Sequence, residues 1–162
     1  MRIKEGASCL PLTHSVVRKK VFIDNFTCYH VDMDKKYLEQ RLKDLKIYDK
    51  YYYRLELKSL ASYLYYDENV NCILTGVYDG MRRMVAVTDA RIIIVTAGPM
   101  VKTEFLVIKR GAVKSWKFTK RFLFSSFEFR TEKSCFTFSM TQAGREKLLK
   151  WAMEQPVKYF DE

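Results

Sequence analysis

The 162-residue chain predicts an antiparallel β-domain, a sandwich or small barrel, closed by a helix at its C-terminal side. From Thr75 to Met140, short apolar and β-branched segments alternate with turn residues at regular spacing. The last of these segments alternate strictly, so that Trp116 with Phe118, Phe127 with Phe129, and Phe136 with Phe138 each share one strand face. The stretch from Gln142 to Gln155 then changes to helical spacing and runs into Pro156.

Taken in order, Met1 to Asp32 is the least regular part. Pro11 breaks it, and Val16 to Ile23 frames the basic centre Arg18-Lys19-Lys20 with apolar residues. That length fits a strand or a short amphipathic helix, and periodicity does not separate them. Asp34 to Lys46 predicts a helix, with Asp34 as its cap and Leu38, Leu42 and Leu45 on one face. Glu39 and Lys43 add a favourable pair one turn apart. The tyrosines Tyr48, Tyr51, Tyr52 and Tyr53 follow. Such a cluster can stack on bases or sugars, but it fits half-burial against a neighbouring element better. Leu57, Leu60, Ala61 and Leu64 make a second helical stripe, ended by Asp67-Glu68-Asn69.

Seven strands are expected next: Val70–Tyr78, Met81–Thr88, Arg91–Thr96, Lys102–Lys109, Val113–Arg121, Leu123–Arg130 and Ser134–Met140. Asp79-Gly80 is a hairpin signal between the first two. The unbroken run Ile92-Ile93-Ile94-Val95 predicts a third strand buried on both faces. Thr141 is placed to cap the final helix, whose apolar face is read as Leu148, Trp151 and Ala152, with Leu149 beside it. Tyr159-Phe160-Asp161-Glu162 reads as a loose tail. The expected division is an N-terminal extension at 1–55, partly helical, a β-domain at 56–156, and a tail at 157–162.

The hydrophobic fraction of 48% and aromatic fraction of 15% exclude global disorder. The net charge of +10 suits polyanions such as nucleic acid, anionic lipid or an acidic protein, although the basic residues are spread along the chain as ordinary surface lysines also are. Met1 to Leu12 lacks the apolar core of a secretory signal, and no window reaches the ~18 apolar residues of a membrane span. Cys9, Cys28, Cys72 and Cys135 form no C-x-x-C pair and read as reduced thiols of a cytoplasmic protein, with a peripheral place at the inner membrane surface as a further option. Cys9, His14, Cys28 and His30 do not have the paired spacing of a zinc site. No nucleophile elbow, phosphate-binding loop or H-E-x-x-H motif is present, so neither an enzyme nor a cofactor is expected.

Seven antiparallel strands followed by one helix is the pleckstrin-homology (PH) order, and several segments carry a closer likeness. Leu60 to Met153 resembles the bacterial PH-like domains. Leu60-Ala61-Ser62-Tyr63-Leu64 followed by Glu68 is similar to the family's lead-in helix and its acidic residue. Met84 to Val95 is similar to its most distinctive segment, an apolar strand, a T-D-x-R turn at Thr88-Asp89-Ala90-Arg91, and a second apolar strand. Phe105-Leu106-Val107-Ile108 and Val113-Lys114-Ser115-Trp116 stand where the family has its fourth strand and the start of its fifth. The resemblance implies a partly open seven-stranded antiparallel barrel capped by a helix, an α+β fold, acting as a non-catalytic interaction module. It does not imply a phosphoinositide pocket, because the first hairpin loop, Tyr78 to Arg83, is short and carries Asp79 at its tip.

Within the T-D-x-R turn, Asp89 is expected to accept backbone N–H groups two residues on, and Arg91 to reach a carboxylate or carbonyls, so Thr88, Asp89 and Arg91 are assigned a structural role. A protein partner or self-association, with Leu38, Leu42 and Leu45 as a possible docking element, is the leading functional expectation. The alternative is salt-sensitive binding to an anionic membrane through a basic sheet face made of Arg82, Arg83, Lys109, Arg110, Lys117 and Arg121. Nucleic acid ranks below both, since no recognition motif for it is present.

Overall fold

The computed structural model describes residues 35–48, 55–65, 67–98, 100–120, 124–140 and 144–159. Two helices lead: α1 at Lys35–Asp44 and α2 at Leu55–Ala61. Seven strands follow, β1 at Val70–Tyr78, β2 at Met81–Thr88, β3 at Arg91–Gly98, β4 at Val101–Lys109, β5 at Ser115–Lys120, β6 at Ser125–Arg130 and β7 at Cys135–Met140. A short 3-10 turn at Arg110–Ala112 links β4 to β5, and α3 at Glu146–Glu154 closes the order. The strands form one antiparallel sheet in the order β4-β3-β2-β1-β7-β6-β5, the partly open PH-like barrel with its C-terminal helix. The caps expected at Asp34 and Thr141, the candidate metal ligands Cys9, His14, Cys28 and His30, and Tyr51 to Tyr53 lie outside the described residues.

The sheet buries apolar residues on both sides. Inside the barrel, Leu74, Val85, Val87, Ile92 and Ile94 meet Phe127, Phe129, Phe136 and Phe138 of the last two strands, and Leu149 and Ala152 of α3 close the end. Outside it, Ile73, Met84, Ala86, Ile93 and Val95 are covered by Leu38 and Leu42 of α1 and by Leu57, Leu60 and Leu64 of the α2 segment. The Ile-Ile-Ile-Val run is therefore explained: alternate residues of β3 enter opposite cores. Leu38 and Leu42 are 2% exposed, so this stripe is packed on the β-domain.

Backbone geometry accounts for the chain's direction at two places. Asp79 (φ 52°) and Gly80 (φ 68°) both take positive φ at the β1–β2 turn, as the tightest hairpin turns require. Lys46 (φ 55°) ends the α1 segment in a Schellman arrangement, with Ile47 N–H donating to the Leu42 carbonyl and Lys46 N–H to that of Lys43, each at 2.9 Å. Ile47 then packs in the same core as Leu42.

β1 pairs with β2 along its length but with β7 only at Gly76 and Val77. Arginines satisfy two of its other carbonyls: Arg41 Nε of α1 donates to Val70 O at 3.0 Å, and Arg145 donates to Ile73 O at 2.6 Å. A side chain at Gly76 would bring a Cβ within 2.9 Å of Ser139 O, so the β1–β7 junction needs glycine there.

α3 departs from expectation in its orientation. Leu149 and Ala152, one turn apart, are fully buried, whereas Trp151 is 40% exposed. Leu149 and Trp151 are two residues apart and cannot share a helix face. Arg145 stands at the helix start without a side-chain cap bond, its guanidinium being engaged on β1. Cys72 is a buried free thiol, and burial pushes its pKa up to about 12. Cys135 is disulfide-bonded, so the expectation of four reduced thiols does not extend to it.

Candidate interaction site

The T-D-x-R turn is built around a buried carboxylate. Glu68 is 0% exposed and receives Thr88 Oγ1 at 2.6 Å, Arg91 Nε at 3.0 Å, a second bond from Arg91 Nη2, and Tyr65 N–H at 3.2 Å. Tyr65 covers the Arg91 guanidinium at 4.1 Å. Burial alone would lower the Arg91 pKa, but its hydrogen bond to Glu68 and the Glu68 charge outweigh that and raise it. The turn itself is held by Thr88 rather than Asp89: Thr88 Oγ1 accepts Ala90 N–H at 3.2 Å and Arg91 N–H at 2.8 Å. Asp89 reaches elsewhere, accepting from Asn69 N–H and Asn69 Nδ2, both at 3.1 Å, and pairing with Lys158 at 3.0 Å. These bonds make the cluster a joint between the lead-in segment, β2, β3 and Lys158.

The end of the chain belongs to that joint. Lys158 N–H donates to Asp89 O at 2.9 Å, and Lys158 Nζ to Asp67 O at 3.1 Å. Arg110 is 5% exposed and donates to the carbonyls of Thr88, Met153 and Gln155. It closes the end of α3, so it stands inside the domain and not on an anion-binding surface; its burial lowers its pKa against the opposing pull of Asp89. Arg110 gave no sequence signal for this role, because two of the carbonyls it bonds, those of Met153 and Gln155, lie more than forty residues on.

The remaining basic candidates are scattered. Arg82 and Arg83 are consecutive on β2 and so point to opposite faces. Arg82 is exposed opposite Val77, while Arg83 turns inward and lies over the Tyr78 ring at 5.3 Å. Lys109 stands at the far end of β4, opposite Arg91. Six residues of β2, about 20 Å at ~3.3 Å per residue, separate its level from Arg82. Lys117 is exposed on β5 directly opposite Glu128, which pairs with Arg130 at 2.8 Å. Arg121 lies outside the described residues. These side chains do not converge on one basic face.

Two other surfaces emerge from the topology. The first is a cleft of about 460 Å³ between β4, one end of the sheet order, and the β6–β7 turn, with Ala112 and Lys114 beside it. Leu106, Ile108 and Phe136 make its apolar floor, and Leu106 is 38% exposed there. Lys109, Lys114 and Lys133 stand on its rim with Glu132, which pairs with Lys114 at 3.0 Å. The second surface is the end of the barrel beyond the row of paired residues Lys120–Ser125–Met140–Gly76–Arg83. Val77 and Met81 at the strand ends and Met100 and Phe124 between strands are exposed at this end, with exposed Arg82, Lys102 and Lys120. Arg83 Nε and Thr96 Oγ1, one step beyond the Met84–Val95 pair, are buried there without a hydrogen-bond partner. Neither surface was legible as a unit, since each is assembled from strands and turns remote in sequence.

Among the described residues no group of three histidines, cysteines or carboxylates stands together as a metal site, and no helix is long and apolar enough to cross a membrane. No curated protein matches the chain. A family model described as bacterial PH domain matches residues 64–150, from Leu64 before the buried Glu68 to Lys150 in α3. That span holds all seven strands, the Thr88-Asp89-Ala90-Arg91 turn and the first half of the closing helix; the chain belongs to the bacterial PH domain family.

Proposed function

We propose that this chain is a non-catalytic interaction module whose principal partner is another protein, bound at the cleft along the edge of β4. A PH-like fold is in general an interaction module, which is the frame for this reading. The observation that carries it is the cleft floor: Leu106, Ile108 and Phe136 line a cleft beside the edge of β4, which has no further strand partner among the described residues. Unpaired edges beside an apolar floor are what strand-adding and groove-binding partners use. The test is to pan a random peptide library on the immobilised chain, with anionic liposomes and duplex DNA assayed in parallel at low and physiological salt. Peptides that bind at physiological salt and lose affinity in Leu106→Glu are the expected result. Enrichment of no peptide, with binding to liposomes or DNA alone, would overturn it.

An anionic membrane surface is the second reading, and the barrel end supports it. Exposed Val77, Met81, Met100 and Phe124 beside Arg82, Lys102 and Lys120 combine apolar tips with basic residues, the pairing that interfacial binding uses. Each basic residue near an anionic bilayer contributes ~1 kcal/mol, so this reading requires binding that falls steeply with salt. Co-sedimentation with anionic liposomes, lost in the Arg82→Ala/Lys102→Ala variant, would promote it over the first.

A further inference from the structure

We infer that the cleft beside β4 takes an extended acidic segment of a partner protein, which adds to β4 as an eighth strand with apolar residues at alternate positions. This rests on the protein-binding reading above and specifies the partner's chemistry. The conformation follows from the edge. Among the described residues β4 pairs on one side only, with β3, so a strand's width of backbone donors and acceptors faces the cleft. A segment that pairs there must be extended, and its side chains then point alternately into and out of the barrel.

The inward positions would meet Leu106, Ile108 and Phe136, which calls for apolar side chains at every second residue. The outward positions and the far lip would meet Lys109, Lys114 and Lys133 against the single acid Glu132. Because Lys114 and Glu132 pair with each other, the rim keeps a net positive character. Acidic side chains between the apolar ones complete the match.

The same charges argue against a second copy of this chain as the occupant. Self-association would bring two chains of net charge +10 together through lysine-bearing rims. Nucleic acid would satisfy the lysines but not the apolar floor.

The probe is a synthetic peptide alternating valine and glutamate, titrated against the full chain. Its controls are an isomer with the same residues in two blocks and a peptide alternating valine and lysine. The alternating acidic peptide is expected to bind at least about tenfold more tightly than either control, a difference of about 1.4 kcal/mol. Leu106→Glu should weaken it by a similar factor. Since Leu106 is partly exposed the fold should survive, and thermal unfolding would verify that. The charge-reversed variant Lys114→Glu/Lys133→Glu alters only exposed residues and should shift preference toward the lysine peptide, so the inference remains testable even where Leu106→Glu fails to fold.

Equal binding of the block isomer would overturn strand addition, and binding unchanged in Leu106→Glu would overturn the site. Lysines that merely guard an edge would give no binding to the synthetic peptides. If the library still yielded cleft-dependent peptides of another composition, the acidic-strand inference would fail while the protein-binding reading stood. An empty library screen would instead remove that reading.

Discussion

The two halves of the sheet are made of the same kind of segment and end in different environments. β1 to β3 are buried on both faces, because α1 and α2 cover the outside and the barrel core fills the inside. β5 to β7 are buried on one face only: along β7, Phe136, Phe138 and Met140 are buried while Cys135, Thr137 and Ser139 are exposed. The first half reads as continuous apolar runs and the second as strict alternation. Pattern therefore reports the number of covered faces. The difference also shows where a partner can be received. The first half is covered on both sides, and among the described residues the uncovered apolar surfaces lie beside β4 and at the turns.

The largest test of this contrast falls on the joint that fastens the covered half. Glu68→Ala would leave Arg91 buried without its carboxylate. Removing one member of a buried ion pair costs about 3–5 kcal/mol, so a comparable loss of unfolding free energy is expected in denaturant titration. A double replacement of Glu68 and Arg91 by apolar residues should recover part of it. A loss under ~1 kcal/mol in the single variant would remove the joint from the account of stability.

Next in size is a matched pair of truncations. Ile93→Ala empties the outer core and should cost about 2–5 kcal/mol. Thr137→Ala, on the bare face of β7, should stay within about 0.5 kcal/mol. Similar values for the two would mean that α1 and α2 add little by covering the sheet.

The smallest expected effect is one of pH. Cys72 is held as a neutral thiol, its folded pKa raised from 9.0 to about 12 by burial. The unfolded chain loses this proton first on raising pH. The contribution is therefore fully present below pH 9.0, declines as pH rises from there, and is gone above about 12. Cys72→Ala should flatten the alkaline limb of a stability-versus-pH curve relative to the parent. An unchanged slope would show that other groups, such as Tyr63 with its similarly raised pKa, set that limb.

The sequence by itself determined the succession of strands, the hairpin at Asp79-Gly80 and the double burial of β3. These depend on local backbone preference and side-chain period, which neighbouring residues encode. Tertiary structure alone decided that Arg110 turns inward to the end of α3, that Thr88 rather than Asp89 closes the turn, and that Lys158 is fastened to Asp89. It also parted Arg82 from Lys109 and left beside β4 a cleft floored by Leu106, Ile108 and Phe136. Each of those outcomes joins groups distant along the chain, and their meeting depends on how the sheet curls rather than on any pattern within one segment.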